Sequence, residues 1–169
     1  MTRRPIKVEL NGDPVEVVVE PRLRLADLVR DRGLTGTHLA CETGACGACT
    51  VLLDGRTVRS CLLFAAQCDG HAVTTIEAFG TPDALHPVMA AFRRNHGLQC
   101  GFCTPGMVLT AIELLAEEAD PDEAAVRSWL AGSICRCTGY AGIVAAVLDA
   151  AAERRAAGTG RDADARTEP

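Results

Sequence analysis

CETGACGAC, residues 41–49, is the stretch whose reading decides the fold. It sets Cys41, Cys46 and Cys49 at C-x4-C-x2-C spacing, and Cys61 follows after eleven more residues. Three sulfurs on one tight loop can converge on a small centre while a fourth reaches in from the next element. Gly44 and Gly47 lack Cβ, so they allow positive φ and let backbone amides approach anionic sulfur.

Outward from this loop the chain reads as a small α/β unit. Ile6, Val8 and Leu10 alternate with polar residues, as in a half-buried strand. Asn11-Gly12-Asp13-Pro14 supplies turn chemistry, Val15 to Glu20 returns as a second strand, and Pro21 stops it. Arg24 to Arg32 predicts a short helix with Leu25, Leu28 and Val29 on one side, closed by Gly33. Beyond the cysteine loop, Thr50–Leu53, Asp54-Gly55 and Arg56–Ser60 predict a hairpin, and Ala72–Ile76 a further strand. This group of four cysteines has the plant-type spacing for a [2Fe–2S] cluster. A structural zinc knuckle is the alternative, although zinc sites favour paired C-x2-C units and Cys61 is isolated.

Residues 77–86, with Gly80 and Pro82, read as a linker, after which the patterns turn helical. Helices are predicted over Pro87–Asn95, from a Thr104 cap through Glu118, from Asp120-Pro121-Asp122-Glu123 to Gly132, and from a Thr138 cap to about Arg155. The remainder, 156–169, is small, charged and poor in apolar residues, so it predicts a disordered tail. A second cysteine group lies here: Cys100-x2-Cys103, a gap of thirty-one residues, then Cys135-x-Cys137. Each pair precedes a predicted helix, so two positive dipole ends would favour an anionic thiolate cluster. Spacing alone does not separate iron–sulfur from zinc at this group.

Composition narrows the function. With 48% apolar and 23% charged residues in 169, the chain is that of an ordinary globular protein. A net charge of −5 argues against nucleic-acid binding. No apolar run approaches the length of a membrane span, and the N-terminus leads into a strand pattern instead of a secretory core. A cytoplasmic location is therefore expected, and in a reducing compartment nine patterned cysteines point to metal. No Ser/His/Asp, Cys/His or paired-carboxylate arrangement suggests bond-making chemistry, so no catalytic residue is expected.

The stretches GLTGTHLACETGACGACTVLLDG, QCGFCTPGM and CRCTGY resemble the small iron–sulfur subunit of the molybdenum hydroxylases, the xanthine oxidase family, and the likeness runs from residue 5 to about 150. The resemblance implies an α+β protein: a β-grasp, plant-type ferredoxin domain (1–78) followed by an all-α four-helix domain (79–155). It implies that Cys41, Cys46, Cys49 and Cys61 hold a [2Fe–2S] cluster nearer a flavin, and that Cys100, Cys103, Cys135 and Cys137 hold a second nearer molybdenum. It further implies that Gln99 and Cys137 approach a molybdopterin dinucleotide. The implied partners are a large molybdopterin-binding subunit and a medium FAD-binding subunit, assembled as a dimer of heterotrimers. This chain would carry electrons between them.

The sequence also departs from the family pattern. Relatives carry Lys-x-Gly where this chain has His38-Leu39-Ala40, Gly-Asn where it has Gly132-Ser133, and often Gln at Met89. Ser133 is expected to replace some of the asparagine's hydrogen bonds. Cys68 is read as a small buried apolar residue. His38 is read as an exposed loop residue or a tuner of the first cluster. His71, His86 and His96 show no ligand spacing. Arg136 could add positive charge or pair with a partner carboxylate, and Trp129 reads as packing. Two rival classes remain: a free ferredoxin-like carrier, which would not need the helical half, and a zinc-stabilised interaction module, which would be colourless.

Overall fold

The computed structural model describes residues 3–158. The alternation of Ile6, Val8 and Leu10 becomes β1 (Arg4–Leu10), with all three buried. Asn11 and Gly12 both take positive φ, 55° and 88°, the two-residue hairpin geometry whose twist matches the flanking strands. β2 (Asp13–Val19) returns antiparallel, in register from Leu10↔Asp13 to Arg4↔Val19. β2 is an edge strand, which is why it tolerates Pro14. Asp54 and Gly55 (φ 50° and 80°) join β3 (Thr50–Leu53) to β4 (Arg56–Arg59) in the same way. β5 (Ala72–Thr74) runs parallel to β1 and antiparallel to β3, giving a mixed sheet of order β2-β1-β5-β3-β4. α1 (Leu25–Asp31) lays Leu25, Leu28 and Val29 on this sheet, the β-grasp arrangement. A 3-10 turn over Ala65–Cys68, which the sequence reading missed, buries Cys68 in the same core.

The stretch read as a linker is structured. Ile76–Phe79 is a 3-10 turn, followed by a hairpin of β6 (Gly80–Thr81) and β7 (Ala84–Leu85). Ile76 and Phe79 pack against the helical core, which gives the segment a reason to order. α2 (Pro87–Arg94) starts behind His86, whose Nδ1 accepts from Val88 N at 3.2 Å. Then come α3 (Thr104–Glu117), α4 (Glu123–Leu130) and α5 (Ala141–Ala156). The four helices share one core that includes Phe92, Met107, Ile112, Val126, Ile143 and Val147, with Trp129 half-buried against it.

α3 is buried continuously from Gly106 to Leu115, because it lies between the other helices and the sheet. A helix apolar all round belongs in such a position. The two polar residues within that buried stretch, Thr110 and Glu113, are satisfied. Thr110 donates to Gly106 O at 2.9 Å, and the Glu113 carboxylate accepts from Thr57 N of β4 at 3.0 Å.

Three helix starts differ from expectation. Thr104 is the first helical residue after Cys103, and its buried hydroxyl makes no hydrogen bond. α4 begins two residues later than expected, with Asp122 as its cap accepting from Ala125 N, and Glu123 pairs with Arg127. α5 begins behind Tyr140 in the left-handed region (φ 69°), not behind Thr138, so Cys137 stands further from a helix end than predicted. α5 runs through Ala156; the rest of the expected tail, from 159 on, lies outside the described residues. Among the described residues no helix is long and apolar enough to cross a membrane.

Candidate metal centres

The first four cysteines lie where the sheet unit meets the helices. Gly44 and Gly47 take φ of 82° and 75°, and Glu42 (φ 56°) bends the same loop. Arg24 reaches from the start of α1 to the Glu42 carboxylate and so ties the loop to the sheet unit. Cys41 Sγ accepts from the amides of Thr43 and Cys46, each at 3.4 Å. Those contacts, the Thr43 amide foremost, lower the Cys41 thiol to about 6. Cys49 and Cys61 are buried, and burial, then the neighbouring Cys49 thiol, pushes Cys61 up to about 11. Cys46 also acts on Cys41, and Cys41 on Cys61, so the four thiols form one interacting group.

The second four also gather. Cys100 and Cys137 lie with their sulfurs 3.5 Å apart, and Cys135 and Cys100 both act on Cys103. Cys100 is lowered, chiefly by the Phe102 amide, whereas Cys137 is raised by its bond to Cys100. Burial pushes Cys103 up to about 12. At Cys135 burial also acts upward, but donors from Thr138 and the Cys137 amide outweigh it and the thiol is lowered. Thr138 sits at 3.2 Å by Oγ1 and 3.5 Å by N. The expected cap is therefore a sulfur partner. Tyr140 OH accepts from Cys135 N at 3.0 Å and holds the same turn.

All nine cysteines are free thiols. Among the described residues no three Cys, His, Asp or Glu side chains gather as a cage for one ion. Four cysteine thiols in each group are the ligand set of a [2Fe–2S] cluster. The donor set therefore fits [2Fe–2S] clusters in both places. Cys68, wholly buried away from both groups, belongs to the sheet core, and burial raises its thiol.

The two groups abut. Ile134 N donates to Cys46 O at 2.9 Å, and Arg59 reaches from β4 to Gly132 O at 2.6 Å and to Thr50 Oγ1 at 2.5 Å. A Cβ on Gly47 would stand 2.5 Å from Ser133 Oγ and 3.0 Å from Gly132 O. One on Gly106 would stand 2.4 Å from Gly47 O. Gly47 therefore serves the junction between the two units as well as the loop bend. A Cβ on Gly44 would meet only the Leu62 side chain. Ser133 does not replace an asparagine's bonds: its hydroxyl is buried without a partner.

Gln99 is exposed beside the exposed Cys100 and Cys137, as is Arg136. Apolar Leu98, Phe102 and Ile134 are also exposed around the second group, as are Leu62 and Phe64 beside Cys61. His71 bonds Asp54 at 2.6 Å, away from either group. His38 is half-buried and its Nδ1 lies 2.7 Å from Phe102 O. Its partner is thus in the second cysteine loop, a long-range contact that no local pattern marks.

Comparison with known proteins agrees with this geometry. Residues 8–73 match a 2Fe–2S iron–sulfur cluster binding domain, and residues 75–148 match a [2Fe–2S] binding domain. The chain is 52% identical over 149 residues to the nicotine 6-hydroxylase small subunit of Paenarthrobacter nicotinovorans, covering 88% of this chain and 90% of that one. It is 43% identical to the caffeine dehydrogenase subunit gamma of Pseudomonas sp. (strain CBB1), covering 87% and 90%. Its fold superposes on a chain of quinoline 2-oxidoreductase from Pseudomonas putida 86 with a TM-score of 0.87 and 46% identity, covering 92% of this chain and 98% of that one.

Proposed function

We propose a function from one established premise: the chain belongs to the family of small iron–sulfur subunits of molybdenum hydroxylases. In that role it is the electron conductor of an oxidoreductase complex and carries out no substrate chemistry of its own. Cys41, Cys46, Cys49 and Cys61 hold one cluster, and Cys100, Cys103, Cys135 and Cys137 hold the other. The division is at about residue 78, with the helical domain reaching 155. The single observation that carries the reading is the gathering of eight thiols in two groups of four, joined by the Ile134–Cys46 hydrogen bond.

When bound, the two clusters supply one-electron carriers between a molybdopterin dinucleotide on a large subunit and FAD on a medium subunit. The chain's own residues fix and tune them. The amides of Thr43 and Cys46 at Cys41, that of Phe102 at Cys100, and both donors of Thr138 at Cys135 offset negative charge on sulfur. Burial of Cys49, Cys61 and Cys135 keeps water from those sulfurs. The exposed Gln99 and Cys137, ringed by Leu98, Phe102 and Ile134, suit a face covered by the large subunit, where Gln99 can both donate to and accept from a pterin ring. Leu62 and Phe64 suit contact near the flavin side. Substrate choice belongs to the large subunit, the assembly is a dimer of heterotrimers, and the complex works in the cytoplasm.

The test is purification of the native complex. Molybdenum and FAD should co-elute with this chain on gel filtration, and substrate should reduce both clusters. A red-brown chain running alone, without molybdenum or FAD, would instead identify a free carrier.

A further inference from the structure

Within that reading, the contact between His38 and Phe102 has its own consequence. His38 stands three residues before Cys41, on the sheet unit's loop. Phe102 stands between Cys100 and Cys103, in the helical unit. The rings stack with centroids 4.7 Å apart at 19°, and Nδ1 lies 2.7 Å from the Phe102 carbonyl oxygen. A carbonyl can only accept, so Nδ1 carries the hydrogen. Phe102 is otherwise loosely held: it is 44% exposed, lies outside any helix or strand, and follows Gly101 at φ 82°. It nevertheless sits between two candidate ligands, two residues after Cys100 and one before Cys103.

We infer that His38, although carried by the first cluster's loop, is a positioning residue for the second cluster: it holds Phe102 by carbonyl and ring and so fixes the loop that carries Cys100 and Cys103. The sequence alone would assign His38, if to any centre, to the first cluster; the geometry assigns it across the junction. A fixed loop keeps its backbone dipoles in place beside the ligand sulfurs, where they stabilise the extra negative charge of the reduced cluster and so raise its potential. His38 transfers no proton or electron in this role. One electron passes between a reduced cluster and an oxidised one, and His38 sets the environment of one end.

The experiment uses the intact complex, titrated redox-potentiometrically by low-temperature EPR. His38→Phe keeps an aromatic ring against Phe102 and removes the donor. His38→Asn puts an amide N–H close to where Nδ1–H stood. The expected result is a shift of the second cluster's midpoint to more negative potential in His38→Phe, with the first cluster unmoved, and recovery in His38→Asn. Amide hydrogen exchange at Phe102 and Cys103, a readout that needs no turnover, should speed up in His38→Phe and recover in His38→Asn. A His38→Phe complex whose second midpoint is unchanged, or whose first midpoint moves instead, overturns the inference and leaves the proposed function standing. A wild-type complex without two [2Fe–2S] signals overturns the function and this inference together, and is seen before any variant is made.

Discussion

In the sheet unit three of the four candidate ligands lie on one loop of nine residues bent at Gly44 and Gly47, and Cys61 comes from the end of the next hairpin. In the helical unit the ligands come as two pairs thirty-one residues apart, one at the start of α3 and the other in the turn before α5. The first centre thus rests on a loop whose shape is mostly local. The second joins α3 to α5, and Cys135 belongs to the helical core itself. Loop-closure entropy does not separate the two, because spans of 20 and 37 residues, Cys41 to Cys61 and Cys100 to Cys137, differ by only about 0.5 kcal/mol as cross-links. What separates them is what each centre joins: the first has the more buried ligands, Cys49 and Cys61, but they belong to one loop and its hairpin, whereas Cys135 lies in the core that the four helices share. The second centre should be part of the folded core, and the first an attachment to a sheet that is already packed.

The largest effect should come from the ligands. Cys46→Ser is expected to abolish one EPR signal, leave the other intact, and lower the thermal midpoint of the complex modestly. Cys135→Ser should abolish the other signal and lower the midpoint much further, because it loosens the joint between α3 and α5. Equal midpoints for the two variants would break the comparison.

Next in size is the junction itself. Gly47→Ala forces a side chain into the left-handed region and onto Ser133 and the Gly132 backbone, a cost of about 3 kcal/mol or more. Gly12→Ala has positive φ but open space around it, so about 1 kcal/mol is expected. Denaturant unfolding of both variants gives the difference. If they cost the same, the close approach at Gly47 carries no energy.

These differences also mark what was legible in the sequence. The first group could be read directly, since its spacing and glycines specify a loop, and the Asn11-Gly12 and Asp54-Gly55 hairpins follow from turn chemistry alone. The second group could be counted, but not chosen between iron and zinc, because the pairing of Cys100 with Cys137 is long-range. The 80–85 hairpin was hidden by strands of two residues in a stretch of turn-forming composition, and it orders only because Ile76 and Phe79 find the helical core. Thr138 carried a cap's chemistry, but that chemistry is used by Cys135. Tyr140 gave no signal at all, since nothing local marks a tyrosine as the acceptor for a cysteine amide.

Tyr140→Phe sharpens the same contrast on a smaller scale. Leaving the Cys135 amide without its partner should cost about 2 kcal/mol and shift only the second cluster's signal. Smaller still, Cys68→Ala should cost about 1 kcal/mol for a sulfur-sized cavity, with iron content and both signals unchanged. Iron lost from Cys68→Ala would make that residue a ligand.

The central claim, that the chain holds two separate [2Fe–2S] centres, is tested most directly by metal and acid-labile sulfide analysis of the native complex alongside EPR of its reduced form. The account predicts about four irons and about four sulfides for each copy of this chain, with two distinguishable signals. About two of each with one signal, or zinc in place of iron at the helical site, would contradict it.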